Sequence, residues 1–495
     1  MIHHSQKLSF REKAGYSLGD AATNFFFQAM IMYQGAFYTD VMGLSSSAAA
    51  LLFLVVRFWD AAFDPIVGTL ADRTNTRWGK FRPWVLWSAV PFGVILWLAY
   101  SVPDFGATGR LIYAYITYTA LMMIYSINNT PYSALNGVMT GDITERTSLA
   151  TYRFVAAMGA TLVVQGLTLP LVSKFGAGNV AKGWSTTFAI FGGLAVVFYV
   201  IAFLSSRERV KPDPQQQTSI KQDIVDVVTC RPWLTMFLIT LMIFTTLAMR
   251  GTGMYYYFTY FIDKPALHDF VTGFGLGTIA PDDTGLWHTI LRWFGFSLAA
   301  DGSNVTGVGL SLFNICGNLV TIVGVLCSRP LSVRFGKKAV FGMGLFLTTL
   351  VTAAIFLLPA TSVKSLFILS MLWPAAYGPT IPLLWAMIAD VADFSEWKNS
   401  RRATGFVYAG IVFALKAGLG VGGALANQIT GSFGYVANVA QSGHSLQGIR
   451  LTATVFSALP FALGVILILA YPISKELNLR IGDELAERRK KFATA

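Results

Sequence analysis

The 495-residue chain is 54% hydrophobic and only 13% charged, with 38 Phe, 12 Trp and 46 Gly. Soluble domains carry roughly 25% charged residues, so a soluble enzyme is excluded, as is a disordered chain; three cysteines exclude a disulfide scaffold. A net charge of +12 raises nucleic acid or anionic lipid as partners, but in a polytopic membrane chain it more often records which loops stay inside.

Residues Met1 to Lys13 are polar, so no cleaved leader is expected. Apolar runs of the length needed to cross a bilayer then follow. They predict spans at 14–38, 46–70, 81–101, 111–138, 149–173 and 186–206. After a polar stretch come 233–262, 304–327, 339–358, 365–389, 403–430 and 451–474. The runs are continuous and lack the alternation of barrel strands, so all twelve read as helices. With both termini inside, 26 of the 37 Lys and Arg fall on inner segments, seven on outer loops and four within spans. That bias obeys the positive-inside rule and makes a nucleic-acid partner unnecessary.

Charges at bilayer depth are expensive and are paired or functional. Span 1 carries Asp20 near its inner end, where it caps or meets a basic loop, and then Asn24 and Gln28 on one face. Span 2 carries Arg57, Asp60 and Asp64. The two acids are four residues apart and share a face. Their mutual repulsion in low dielectric is relieved by one Na⁺ or one shared proton, which makes a coupling-ion site. The competing reading is that Arg57 simply neutralises Asp60. Span 4 holds Ser126, Asn128, Asn129 and Thr130 ahead of Pro131, where freed backbone groups line a cavity or glue helices. Arg153 opens span 5.

Residues 207–232, with Lys211-Pro212-Asp213-Pro214, read as a linker. Arg77-Trp78-Gly79-Lys80 and Arg334-Phe335-Gly336-Lys337 are similar basic loops after spans 2 and 8. The loops after spans 4 and 10 also match, with Asp142 and Glu145 against Asp390, Asp393 and Glu396. The expected units are a bundle at 1–206, the linker, and a bundle at 233–495 with a tail at 475–495. Arg250 interrupts span 7 before Tyr255-Tyr256-Tyr257, and Lys416 lies mid-span 11. These cations either pair with the embedded acids or donate to a polyhydroxylated or anionic solute. Residues 263–302 form a long outer insert. Its stripe of Leu286, Trp287, Ile290, Leu291, Trp293 and Phe294 reads as an interfacial helix, a packing hairpin or a lid.

Soluble-enzyme motifs are lacking: no HExxH, no CxxC and no phosphate-binding Gly-rich loop. His3, His4, His268, His288 and His444 all fall outside the spans, which excludes an embedded histidine relay, and the His3–His4 pair reads as incidental rather than metal-binding. No cofactor is expected beyond the coupling ion, H⁺ or Na⁺.

Several longer motifs carry a resemblance. They are Tyr16-Ser-Leu-Gly-Asp20, Thr39-Asp40, Trp59-Asp60-x-x-x-Asp64-Pro65, Asp72-Arg73-Thr74 and Trp78-Gly79-Lys80-Phe81-Arg82-Pro83. Later come Ala389-Asp390-x-x-Asp393-Phe394-x-Glu396-Trp397 and Gly434-Tyr435-x-Ala437-Asn438-x-Ala440-Gln441. Together these resemble the glycoside–pentoside–hexuronide:cation symporters, a branch of the major facilitator superfamily, over nearly the whole chain outside the insert. The resemblance implies twelve helices in two bundles, alternating access, and uptake of a sugar with a monovalent cation across a bacterial inner membrane by a monomer. It implies a cation site at Asp60, Asp64 and Ser126, and sugar contacts from Asn24, Asn129, Arg153 and Lys416, to which Arg250 is added. Asn24 and Asn129 stand where the melibiose carrier has aspartates, so an anionic sugar is less disfavoured. Phe63 stands where that carrier has an asparagine beside its cation, which favours H⁺. Inner-loop residues Asp72, Arg73, Asp390, Glu396 and Arg402 are expected to exchange ionic contacts between states. The alternatives are a proton-coupled facilitator for a drug or other non-sugar solute and, more remotely, a membrane enzyme acting on lipid-linked sugars.

Overall fold

The computed structural model describes residues 7–140, 143–209, 228–279, 283–399 and 404–494. They are all-α, with no β-strand among the described residues. In chain order the helices are α1 (Phe10–Met32), α2 (Ser46–Arg73), α3 (Arg82–Ala99), α4 (Ala107–Met139), α5 (Ile143–Gly176) and α6 (Val180–Ser205). Then come α7 (Arg231–Tyr256), α8 (Lys264–Gly273), α9 (Leu286–Trp293), α10 (Val305–Phe335), α11 (Lys337–Ala354) and α12 (Val363–Tyr377). The last are α13 (Thr380–Asn399), α14 (Thr404–Ser432), α15 (Gly443–Leu451), α16 (Ser457–Leu469) and α17 (Lys475–Thr494).

Among the described residues, ten helical segments, from Arg82–Ala99 to Gly443–Leu469, are long and apolar enough to cross a membrane. These are the third to twelfth expected spans. The first two expected spans correspond to α1 and α2, long enough at 23 and 28 residues. The Ser46–Arg57 part of α2 is apolar; α1 is the more polar of the two and carries Asp20, Asn24 and Gln28. On α3 both faces are apolar: Val85, Ala89, Phe92 and Leu96 are buried while Trp87, Val90, Val94 and Trp97 are exposed. A helix that is apolar all round suits lipid on its outer side.

The chain forms two compact units. The first comprises Met1–Pro214, Met254–Ile315 and Asn427–Leu446. In it α1 packs against α5 and α6, α3 against α4 and α6, and α2 against α4. Ser9 starts α1 with a capping box to Glu12, and Glu12 pairs with Arg209. The α3–α6 crossing needs glycine on both sides. A Cβ on Gly93 would lie 2.6 Å from the Gly192 carbonyl oxygen, and one on Gly192 would lie 2.5 Å from the Gly93 oxygen. Such small-residue crossings let membrane helices approach closely. At the start of α3, the Glu208 carboxylate accepts the backbone N–H groups of Lys80, Phe81 and Arg82 at 2.8–3.0 Å. An anion at a helix N-terminus satisfies donors that otherwise lack partners.

The second unit comprises Gln215–Gly253, Cys316–Ala426 and Gln447–Ala495. Here α11 packs on α12 and α16, and the tail helix α17 packs on α13, where Trp397 Nε1 donates to Glu484 at 2.6 Å.

Helices α1 and α7 end alike. The chain after α1 closes in a π-helical turn, Phe37–Val41, and that after α7 in another, Tyr257–Phe261. Such turns are rare and concentrate at functional sites. Asp40 and Tyr260 hold the same place in each turn, 220 residues apart. The matching basic loops at Arg77 and Arg334 lie further apart than that, by nearly the length of the insert at 263–302.

Candidate functional site

In α2, Ser45 caps the N-terminus by accepting the Ala48 N–H, and Arg57, Asp60 and Asp64 follow further along the helix. Asp60 is fully buried. The Ser126 hydroxyl of α4 donates to Asp60 Oδ1 at 2.9 Å. Arg57 Nη1 lies 3.6 Å from Asp60 Oδ2, and its Nη2 faces Met30 Sδ. Asp64 lies one turn further along, half-buried. The three residues expected at the cation site therefore include one direct pair, Asp60 with Ser126, and one acid a turn away on the same helix. Asn128, buried beside them in sequence, instead donates to Ser88 of α3 at 2.7 Å, a helix-to-helix tie.

A polar ladder runs along α1. Asn24 donates to the Asp20 carbonyl at 2.8 Å and Gln28 to Asn24 Oδ1 at 3.2 Å. Gln165 of α5 donates to Gln28 Oε1 at 2.9 Å. The i, i+4, i+8 spacing of residues 20, 24 and 28 puts them on one face. Asn129 is half-buried, with Nδ2 3.5 Å from the Tyr125 hydroxyl. Tyr125 has Asp20, Asp60 and Asp64 all within electrostatic range.

Arg153 is engaged by protein. Its Nε and Nη2 donate to the two oxygens of Asp20 at 2.7 and 2.9 Å. Tyr132 adds a hydroxyl to Asp20 at 2.6 Å. The Tyr16 and Tyr132 rings stack at 4.5 Å, and the guanidinium lies 5.7 and 5.2 Å from their centres. Of the readings open for the embedded cations, pairing with an acid is the one seen here.

In the second unit, Lys416 is buried on α14. The Arg250 guanidinium of α7 lies over the Trp373 ring of α12, 4.4 Å from its centre. Arg250 Nε and Trp373 Nε1 are both enclosed and meet no hydrogen-bond acceptor among the described residues. Two buried donors of this kind cost free energy unless a ligand or water accepts from them. Trp373 carried no role in the sequence; Trp373-Pro374, an aromatic before a mid-helix proline, was the signal. Arg250→Gln is expected to weaken solute affinity by ~10- to 100-fold, the loss of one charged hydrogen bond. Equilibrium binding with stability controlled in parallel checks this.

Among the residues expected to exchange ionic contacts between states, Asp390 binds Lys337 Nζ through both oxygens at 2.7 Å. Glu396 is half-buried and Arg73 exposed. Asp72 lies near the end of α2, and Arg402 lies outside the described residues, as does Asp142. A contact not singled out from sequence joins Lys13 to Glu145 at 2.9 Å.

The two π-helical turns meet in a cluster to which sequence reading gave no role. Tyr435 donates to Asp40 Oδ1, and Tyr260 donates to Asp40 Oδ2 at 2.9 Å. Asn438 Nδ2 donates to the Asp40 carbonyl at 2.6 Å and its backbone N–H to the Tyr260 hydroxyl at 3.1 Å. Thr39 and Tyr256 share a hydroxyl contact at 2.7 Å. Asn438 has φ 62, a left-handed conformation that asparagine tolerates. The motifs Thr39-Asp40 and Gly434-Tyr435 to Asn438 were visible as strings, but their meeting across 395 residues was not.

Comparison with known proteins places this geometry. A family model described as MFS/sugar transport protein matches residues 15–300 and 302–475. The chain is 32% identical to the inner membrane symporter YicJ of Escherichia coli, over 98% of this chain and 97% of that one. It is 30% identical to the isoprimeverose transporter of Lactiplantibacillus pentosus, over 96% and 91%. In fold it resembles a bacterial homologue of the human lysosomal transporter Spinster, with a TM-score of 0.61 at 13% identity over 94% and 99%. These matches cover nearly the whole length and concern membrane transporters, not enzymes. The chain is a multi-pass membrane protein of the MFS/sugar transport family, in its glycoside–pentoside–hexuronide:cation symporter branch.

Proposed function

We propose that the chain imports a glycoside, pentoside or hexuronide by symport with one monovalent cation, working as a monomer by alternating access with both termini in the cytoplasm. The observation that carries this reading is the buried Asp60–Ser126 pair with Asp64 one turn along α2, in a chain of a sugar-transport family. A cation entering there neutralises a carboxylate that low dielectric disfavours. Phe63, which offers no oxygen beside the acids, favours H⁺ over Na⁺.

Sugar hydroxyls need both donors and acceptors. The amides of Asn24, Gln28, Gln165 and Asn129 provide them. Arg250, Trp373 and Lys416 supply further donors, and the cationic pair among these suits a uronate carboxylate. Asp20 fixes Arg153, so Arg153 acts by positioning α1 against α5. Coupling follows when cation and sugar each stabilise the same occluded state, so that each raises the affinity of the other. Uptake of a panel of labelled neutral glycosides, pentosides and uronides into cells making the protein tests the substrate class. Uptake of at least one, competed by its unlabelled form, is expected; uptake of none removes the reading.

The Asp40 cluster ties the outer ends of span 1, span 7 and the 434–438 loop, and opening to the outside breaks these bonds. Asp40→Asn removes the charge that strengthens two phenol hydrogen bonds, worth ~1.5–3 kcal/mol each. The outward-open population is expected to rise by ~10-fold or more. Faster alkylation of a cysteine at Gln28 by an impermeant thiol reagent added outside checks it; an unchanged rate removes the role assigned to Asp40.

A further inference from the structure

The transport reading leaves the insert without a role, and its helix α9 carries an unusual surface. Leu286, Trp287, Ile290, Trp293 and Phe294 follow the spacing of one amphipathic face. All five are exposed, from 38% at Ile290 to 78% at Leu286, and only Leu291 of the apolar stripe turns inward. The apolar face is therefore not the one packed on the chain. The polar groups are satisfied locally: His288 Nδ1 lies 2.6 Å from Asp283, and Arg292 donates to the Asp283 carbonyl.

Two contacts fix the height of this face. Lys174 Nζ donates to the Trp293 carbonyl at 2.8 Å and lies 5.4 Å from its ring. Gly295, with φ 78, sits so close to Pro170 that a Cβ would come within 2.3 Å of the Pro170 carbonyl oxygen. Pro170 and Lys174 form the last turns of the Ser148–Gly176 membrane segment. The end of α9 thus lies beside those turns, at the level where hydrocarbon gives way to headgroups. Tryptophan is enriched at that level, and the exposed face has two.

We propose that α9 lies in the membrane interface, its stripe buried ~5–10 Å into the headgroup–acyl boundary, with the phospholipid bilayer as its partner. It anchors the hairpin to the lipid surface and does not cover the transport path. The test uses the full chain in phosphatidylcholine–phosphatidylglycerol vesicles. Nitroxides are placed by Trp287→Cys and Trp293→Cys, and by Thr284→Cys as a reference, with Cys230, Cys316 and Cys327 replaced by serine and sugar uptake retained. At positions 287 and 293, collisions with oxygen are expected to exceed those with a water-soluble nickel chelate, with the order reversed at 284. Nickel dominance at 287 and 293 overturns the proposal. Shielding from both reagents also overturns it, because the chain itself or a second copy then covers the face. Should the serine chain fail to fold, the native chain and its Trp287→Phe, Trp293→Phe variant are compared in brominated lipid. Loss of a quenchable fluorescence component in the variant supports the proposal, and equal quenching overturns it.

Discussion

Asp64→Asn is expected to abolish gradient-driven accumulation and to leave the protein folded. Arg57 stands three residues before Asp60, 3.6 Å from its carboxylate, and seven before Asp64, so it serves Asp60 first. Asp64 is half-buried a turn further along the same face, where a carboxylate both attracts and is stabilised by a cation. An amide of the same shape keeps the packing but offers no charge for H⁺ or Na⁺ to neutralise. Entry then follows the sugar gradient alone. Concentration ratio and counterflow, measured on the same vesicles, separate these effects: accumulation falls to equilibration while exchange persists. Unchanged coupled accumulation rejects Asp64 as a cation ligand. Asp60→Asn differs in kind. It leaves the Arg57 guanidinium buried without its carboxylate, so a stability loss of about 3–5 kcal/mol is expected on top of the loss of coupling.

Breaking the Asp20–Arg153 pair has the second large effect, and it falls on the fold. The pair is bidentate, carries a third bond from Tyr132 and is flanked by two stacked rings. The two side chains keep 17% and 22% of their surface exposed, which places the cost of Asp20→Asn at ~3 kcal/mol, the lower end for a broken buried pair. Thermal unfolding in detergent is expected to shift down clearly for Asp20→Asn and for Arg153→Gln. The double variant recovers part of the loss, because neither charge is then stranded. Additive losses contradict direct coupling. A lost affinity for sugar with unchanged stability in Arg153→Gln returns Arg153 to the solute.

The fold was largely legible because hydropathy and loop charge are one-dimensional signals. All twelve spans are placed by the length of their apolar runs, although Asp20, Asn24 and Gln28 make α1 a weak signal. The acid pair was legible too, because i, i+4 spacing fixes a shared helix face. Partnerships between helices were not. Nothing local distinguishes Arg153 bound to Asp20 from Arg153 bound to a solute, and nothing local brings Asp40 to Tyr260 and Tyr435. The amphipathic stripe of α9 was evident in sequence, but periodicity gives a face without saying which side the protein occupies. That depends on Gly295 seating against Pro170, a contact between distant residues.

The most direct test of symport is uphill movement of one solute on the gradient of another. Purified protein in proteoliposomes is given equal sugar on both sides and an inward gradient of H⁺ or of Na⁺, with the other cation balanced. The account expects internal sugar to rise above external sugar under one of the two gradients, and the rise to vanish with an ionophore that dissipates it. Internal sugar that never exceeds the external concentration under either gradient contradicts it.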